Sequence, residues 1–206
     1  KEDLPALVGD IKNSMIPPNF IGFEGYKKVI NDGRVGLALW NTTLFTTVSV
    51  FFELVLGIGL ALILNKAIFG QGLIRTTSLI PWAIPTAVAA LMWGYLYNGS
   101  SGIVAHIFEN IGLVNESQDL LLSGTGAMIS TILADVWKTT PYMALLLLAG
   151  LQNIPNSLYE AASIDGASKV QSFFRVTLPL LKPSILVALL FRTLDAFRVF
   201  DLIYVL

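Results

Sequence analysis

The chain has 206 residues, of which 54% are hydrophobic and 13% are charged, and its formal net charge at pH 7 is -1. This composition, with a mean hydropathy of +0.70, indicates a membrane protein rather than a soluble domain. The charge argues against nucleic-acid binding, and the absence of cysteine excludes disulfides, thiolate chemistry and cysteine metal sites. We predict an all-α fold, a polytopic membrane helix bundle.

The first 39 residues mix acidic and basic side chains, and we predict a folded extramembrane segment there. The apolar run that follows, about residues 42–64, is long enough for a spanning helix. Glu53 is the one ionisable residue inside that run. We interpret it as the partner of an intramembrane arginine rather than as a substrate ligand.

The second predicted span covers about residues 76–97 and contains Pro81 and Pro85. Because each proline removes a backbone donor, this span must be bent or locally unwound. The prolines either free carbonyl groups for a substrate or shape the bundle, and we favour the second interpretation.

The segment 98–124 contains no lysine or arginine and has glycines at both ends, which predicts a loop with a short helix. His106 in this loop is the only histidine of the chain. Because it has no second histidine or cysteine to join it, we interpret it as a surface residue and predict no metal site.

The third and fourth predicted spans, about residues 127–150 and 184–206, carry the other intramembrane charges. The third offers Asp135 and Lys138 at the i, i+3 spacing. The fourth carries a ladder of alternating sign at the same spacing, made of Arg192, Asp195, Arg198 and Asp201. Charges inside a bilayer are costly unless they are paired or face a wet cavity. They therefore either line a path for a polar solute or lock helices together.

Residues 151–183 form the one long polar interruption between two apolar spans. Ser157 precedes Glu160 by three residues, which is the spacing of a capping box. Gly166 stands where a helix C-terminus favours a left-handed residue. The pattern predicts a short helix from Ser157 to Asp165.

A second helix is predicted to start at Ser168, since apolar residues recur at helical spacing from Val170 onward. Pro179 and Pro183 then predict where this helix stops and the fourth span begins. The whole interruption is therefore predicted to be a rigid helix–turn–helix at a membrane surface.

Charge predicts the topology. The links 65–75 and 151–183 carry the basic residues Lys66, Arg75, Lys169, Arg175 and Lys182. The positive-inside rule places both links in the cytoplasm, and the segments 1–39 and 98–124 then face outward. The chain starts at Lys1 without methionine and stops inside an apolar run, so we expect further spans at both ends.

The order Glu160-Ala161-Ala162, three residues, Gly166, nine residues, Val176, one residue, Leu178-Pro179 resembles the EAA loop of permease subunits of bacterial ATP-binding-cassette importers. Val176 stands where that family usually has isoleucine. The flanking segments 135–142 and 190–197 resemble the carbohydrate-importer branch, similar to trehalose/maltose-type permeases.

This resemblance implies the importer permease fold, in which the loop supplies a coupling helix for a cytoplasmic ATPase. By motif position, the implied coupling residues are Glu160, Ala161, Ala162, Asp165, Gly166 and Ser168. The implied partners are a cytoplasmic ATPase dimer, a second permease subunit, an extracytoplasmic solute-binding protein, membrane lipid and a small sugar. The implied location is the bacterial cytoplasmic (inner) membrane.

The sequence contains no phosphate loop of the Gly-x-x-x-x-Gly-Lys-Ser/Thr type, so we expect ATP and Mg on the partner ATPase and no cofactor on this chain. We predict no catalytic residues and no enzyme activity for this chain. Sugars present hydroxyls and apolar ring faces, so polar side chains beside aromatic ones suit a sugar path. The predicted path residues are Trp137, Lys138, Tyr142, Arg192, Asp195 and Arg198.

Three other functions fit the same sequence. The chain could serve an importer for an amino acid or phosphate. It could belong to an ion-gradient transporter, in which intramembrane charges relay protons or ions. It could also be a membrane scaffold or receptor subunit with no transport path.

Overall fold

The computed structural model describes residues 22–66, 71–112 and 119–206, and within these ranges it contains helices and no strand. Several predictions fall partly outside them. Most of the predicted outer segment, the middle of the first link and part of the outer loop lie outside the described residues, at positions 1–21, 67–70 and 113–118.

The chain divides into two compact units, Lys1–Trp40 and Asn41–Leu206. In the described part of the first unit, α1 (Glu24–Asn31) is followed by the beginning of α2 (Gly33–Lys66). The Asp32 carboxylate accepts a 2.9 Å hydrogen bond from the Arg34 backbone N–H, which satisfies one donor of the first turn of α2. The long helix therefore begins at Gly33, inside the segment that was predicted to be separate from the first span.

Three helices are long and apolar enough to cross a membrane, judged by length and composition over the described residues. They are α2, a helix at Gly124–Gln152 and a continuous helical run at Lys169–Phe197, with 34, 29 and 29 residues. Each exceeds the roughly 20 residues that a bilayer core requires. These helices correspond to the first, third and fourth predicted spans.

The second predicted span is broken into α3 (Gln71–Ser78), α4 (Ile80–Ala83) and α5 (Thr86–Leu96). Ile84 and Pro85 have extended backbone, with ψ angles of 132° and 136°. Since Pro85 disfavours a helical conformation for the residue before it, the helix must open at this point. The predicted local unwinding is confirmed.

The predicted outer loop contains α6 (Ile103–Asn110) and α7 (Asp119–Leu122), so its short helix is confirmed. His106 is exposed, and its Nδ1 lies 3.5 Å from Glu109 Oε2 one turn later. The surface interpretation of this histidine therefore agrees with its position.

After the third long helix, α8 (Gly124–Gln152), come α9 (Asn156–Ile164) and α10 (Lys169–Ser172). The predicted capping box at the start of α9 is wrong, because the N-cap is Pro155 and no side chain caps this end. Pro155 has extended backbone and directly precedes the first helical residue, so Ser157 already lies inside the first turn.

The predicted stop at the two prolines is also wrong. A π-helical turn at Phe173–Thr177 joins α10 to α11 (Leu178–Phe197) without a break. Pro179 lies in the first turn of α11, where a missing N–H is tolerated, and Pro183 lies inside the helix. The membrane helix thus continues backward into the predicted loop.

The fourth span was predicted to run to residue 206, but α11 ends at Phe197. The backbone N–H groups of Arg198 and Val199 donate to the carbonyl groups of Asp195 and Ala196, three residues back, and close the end of the helix. A separate short helix, α12 (Asp201–Val205), follows and packs on α5.

Small residues bring the long helices together. A Cβ atom on Gly57 of α2 would lie 2.7 Å from Met143 Cγ of α8, and one on Gly150 of α8 would overlap the Ser184 side chain of α11. Such close approach is the usual device of helix packing in membranes. The main apolar core accordingly lies where α2, α8 and α11 meet.

Candidate functional site

Among the described residues, the largest fully buried side chain is that of Arg192 on α11, which is 1% exposed. Its Nε donates to Glu53 Oε2 at 2.5 Å, and its Nη2 donates to Glu53 Oε1 at 2.9 Å. Glu53 on α2 is fully buried. The two parallel bonds form the bidentate geometry that makes arginine–carboxylate pairs strong and directional.

Two further carboxylates complete this group. Arg192 Nη2 also donates to Asp135 Oδ2 on α8, and Nη1 lies 3.3 Å from Asp195 Oδ2 one turn along α11. All three guanidinium nitrogens are therefore engaged. We call Arg192, Glu53, Asp135 and Asp195 the Arg192 cluster. It ties together three helices, α2, α8 and α11.

The predicted partner for Glu53, an intramembrane arginine, is confirmed. The i, i+3 pairing of Asp135 with Lys138 is not formed, because Asp135 bonds with Arg192 instead. Lys138 Nζ donates to the Trp82 backbone carbonyl at 3.2 Å. That carbonyl lies just before the unwound residues, so the lysine fastens the broken second span to α8.

The charged ladder of α11 is present over three of its four members. Asp195 Oδ1 accepts from Arg198 Nε and Nη2, each at 3.2 Å, while its other oxygen faces Arg192. The ladder does not continue to Asp201 as predicted, because the helix ends before that residue. The side chains of Asp195 and Arg198 are 49% and 82% exposed, in contrast to Arg192.

Aromatic rings of α8 pack against aromatic rings of the broken second span. Trp82 stacks face to face on Tyr142 with centroids 5.2 Å apart, and Trp93 meets Trp137 edge to face at 5.6 Å. Lys138 on the same helix as Tyr142 and Trp137 is mostly buried. The predicted path residues on α8 are thus grouped with the broken second span.

The second group of predicted residues lies on α9 and the turn after it. Gly166 has a φ of +78°, so the predicted left-handed glycine is confirmed. Its N–H donates to the Ser163 carbonyl at 3.1 Å, and the Ala167 N–H donates to the Ala162 carbonyl at 2.9 Å. This is the bonding pattern of a Schellman motif, which ends α9 sharply.

The predicted start of the next helix at Ser168 is confirmed. The Gln171 backbone N–H donates to Ser168 Oγ at 3.3 Å, and the Ser168 N–H donates to Gln171 Oε1 at 2.8 Å. These reciprocal bonds form a capping box. Two capping motifs in succession, the Schellman motif and the capping box, therefore fix the angle between α9 and α10.

We call this helix–turn–helix, Asn156–Ser172, the docking turn. Its outer face is exposed. Five of the six residues implied as coupling residues are exposed, and the sixth, Ala162, is partly buried. The side chain of Ile164 is 87% exposed, and Val170 is also exposed. Uncovered apolar side chains on a helical surface suit a partner that accepts a helix in a groove.

The structure does not bring the two predicted sets of residues together. The coupling set lies at the docking turn, whereas Arg192 lies 23 residues beyond Lys169 along one continuous helical run. That separation corresponds to about 35 Å along the helix axis.

Sequence reasoning did not assign Glu53, Trp82, Tyr159 or Thr177 to a site. Glu53 had a usable signal, as a lone acid in an apolar run. The Trp82 carbonyl had a weaker signal. The nearby prolines indicate that some carbonyl groups lack a helical hydrogen bond, but they do not identify the group that donates to them. The hydroxyl pair of Tyr159 and Thr177, whose oxygens lie 3.1 Å apart, had no signal, because the pair depends on how two helices fold back on each other.

Comparisons with known proteins give a consistent picture. Residues 53–206 match the model of the family described as "Binding-protein-dependent transport system inner membrane component". The trehalose/maltose transport system permease protein MalF of Thermococcus litoralis is 48% identical over 187 residues, which cover 91% of this chain and 63% of that protein. The trehalose transport system permease protein SugA of Mycobacterium tuberculosis is 44% identical over 200 residues, covering 95% and 62%.

The sulfoquinovosyl glycerol transport system permease protein SmoG of Agrobacterium fabrum is 43% identical over 193 residues, covering 94% of this chain and 62% of that protein. The chain thus spans less than two thirds of the length of these relatives. Among solved structures, a bacterial ABC transporter involved in the import of the acidic polysaccharide alginate matches with a TM-score of 0.72 and 26% identity, covering 92% of this chain and 66% of that one.

Proposed function

Because the chain belongs to the family of binding-protein-dependent transport system inner membrane components, we propose that it lines the path of an ATP-driven importer for a small sugar. The substrate would be a disaccharide or oligosaccharide. The observation that carries the proposal is the docking turn, an exposed helical surface built on the EAA pattern and fixed by a Schellman motif and a capping box.

The relatives support a sugar as substrate. Two of them are named for trehalose or maltose and one for a sulfoquinovosyl glycerol, and a structural neighbour is described as an alginate importer. A protein named for sn-glycerol-3-phosphate transport is less similar, at 34% identity over 179 residues. The more similar names therefore favour a carbohydrate over a phosphate compound.

The docking turn supports an ATPase as the partner on the cytoplasmic side. Its exposed apolar side chains can be buried in a groove of the partner, and its basic residue Lys169 agrees with a cytoplasmic position. In this proposal ATP and Mg are held by the partner ATPase. A second permease subunit and a solute-binding protein complete the importer.

We assign roles to the charged residues of the predicted fourth span by how far each side chain is buried. Arg192 is enclosed by carboxylates of its own chain, so we assign it to holding the helices together. Asp195 and Arg198 remain partly or largely exposed and are assigned to the sugar path. Tyr142 and Trp137 lie on α8 and would offer ring faces to the apolar side of a sugar.

The test is to purify the assembled complex, identify the sugar that co-purifies, and measure uptake into vesicles. An ATP-driven sugar importer predicts uptake that vanadate abolishes and an uncoupler leaves intact. Sensitivity to the uncoupler alone would identify an ion-gradient transporter. Stimulation of ATP hydrolysis by amino acids or phosphate, and not by sugars, would move the chain to another importer class. A complex without any flux would favour a scaffold.

A further inference from the structure

Within the described residues, one side-chain hydrogen bond joins α9 to the π-helical turn that precedes α11. Tyr159 Oη on α9 lies 3.1 Å from Thr177 Oγ1. Thr177 is 4% exposed, and the ring of Tyr159 packs against the apolar core of α2, α8 and α11. The bond is partly buried, and a hydrogen bond in a setting of lower dielectric constant is stronger than one in water.

Thr177 occupies a special place in its helix, at the end of the π-helical turn. The Leu178 N–H donates to the carbonyl of Phe173, five residues back. Wide turns are where helices bend, and π-turns occur often at functional sites. The π-helical turn Phe173–Thr177 therefore forms a joint between α10 and α11.

The covalent route from α9 to α11 passes through this joint. Movement of α9 enters α10 through the Gly166 turn, on the far side of the joint from the membrane. A bend at the joint would absorb that movement before it reached α11. The Tyr159 bond instead reaches Thr177, the residue directly before α11. It bypasses the joint.

We propose that Tyr159 is a positioning residue that makes α9 and α11 move as one unit. Through its hydroxyl, displacement of the docking turn reaches α11 and the Arg192 cluster rather than being lost in the π-turn. This inference rests on the proposed function, because the displacement comes from closure of the ATPase.

The test uses the assembled complex of full-length subunits and does not depend on knowing the sugar. Because the printed chain has no cysteine, spin labels can be attached at Ile63→Cys on α2 and Leu186→Cys on α11, both exposed positions. Pulsed electron resonance then gives the distance between the labels, with and without ATP and vanadate. We expect trapping to shift this distance in the complex that carries Tyr159.

In Tyr159→Phe, the ratio of trapped to resting populations should fall about fivefold, the change expected when one hydrogen bond is lost. The amount of bound ATPase should stay the same, which separates positioning from mere stabilisation of α9. Thr177→Val should reproduce the fall, and the double variant should fall no further, because both changes remove the same bond. Thr177→Ser keeps a hydroxyl and should restore the ratio, and Tyr204→Phe serves as a control for loss of an exposed hydroxyl.

An unchanged ratio in Tyr159→Phe would overturn the inference and leave the proposed function standing. Loss of bound ATPase in Tyr159→Phe would also overturn it, since the bond would then serve only the shape of the docking surface. A complex with Tyr159 intact that binds no ATPase would contradict the proposed function itself, and the inference with it.

Discussion

The Arg192 cluster and the docking turn differ in where their side chains find partners. In the cluster, a guanidinium and three carboxylates from three helices satisfy one another, and the central charge is hidden from solvent. In the docking turn, capping motifs at the end of α9 and the start of α10 fix the shape, while apolar side chains such as Ile164 remain uncovered.

This difference indicates where each region acts. A charge in a low-dielectric interior must find its partners within the protein, because leaving it unpaired is costly. A surface helix with uncovered apolar side chains gains stability when a partner covers them. The cluster therefore serves the bundle, and the docking turn serves an interaction. The following variants test that division.

The largest effect is expected for Arg192→Met, which leaves Glu53 and Asp135 buried without a counter-charge. Breaking a buried pair from one side costs about 3–5 kcal/mol of unfolding free energy. The measurement is the thermal unfolding of the purified complex. Arg198→Met is the matched control, because its side chain is 82% exposed and exposed pairs contribute less than about 1 kcal/mol. Equal destabilisation by the two variants would contradict the role of the cluster.

The next effect is expected for Gly166→Val at the end of α9. Nothing lies within 4 Å of a Cβ atom there, so the cost comes from the left-handed backbone, with φ at +78°. That conformation costs about 1–2 kcal/mol for a residue with a side chain. Displacement of the turn should lower retention of the ATPase during purification of the complex.

Gly112→Val is the control for this prediction. Gly112 has a φ of +73° and equally open space, but it follows α6 in the predicted outer loop. It should therefore carry a similar local cost and leave ATPase retention unchanged. If both variants lost the ATPase, general destabilisation would explain the result, and the docking turn would lose its special status.

A smaller effect is expected at the caps. Ser168→Ala removes the capping box of α10 and should cost about 1 kcal/mol, as for other N-caps. Ser157→Ala should cost much less, because Ser157 lies inside α9 and Pro155 occupies the cap position. Amide hydrogen exchange across residues 156–172 would distinguish the two, and faster exchange in Ser157→Ala would reinstate the predicted capping box.

The smallest effect on stability is expected for Asp195→Asn. The change keeps the shape of the side chain, and Arg192 retains its bonds to Glu53 and Asp135. The complex should therefore assemble normally but transport with an altered preference among sugars. Poor assembly would show that Asp195 mainly locks the helices, and unchanged transport would remove it from the sugar path.

Local signals in the sequence predicted local structure well. The paired prolines predicted the opening in the second span, and the position of Gly166 at the end of a predicted helix predicted its left-handed turn. These local signals gave a wrong prediction where a neighbouring residue or turn altered the local structure. Pro155 took the cap position from Ser157, and the π-turn carried the helix past Pro179.

Contacts between distant segments were less predictable. The lone Glu53 predicted an arginine partner but not which one, since three helices had to be placed first. The i, i+3 rule joined Asp135 to Lys138, yet Arg192 on another helix donates to Asp135 from Nη2. Lys138 then found the free carbonyl of Trp82. Which charged groups pair depends on how the helices pack together. Residue spacing along one helix carries no information about that packing.

The central claim is that the docking turn contacts a cytoplasmic ATPase. The most direct measurement is photo-crosslinking from a benzophenone amino acid placed at Ile164, with Ile103 on α6 as a control of similar character and exposure. The account predicts cross-links to the ATPase from position 164 and none from position 103. Absence of ATPase cross-links at 164 in a complex that retains the ATPase, or equal cross-linking at both positions, would contradict it.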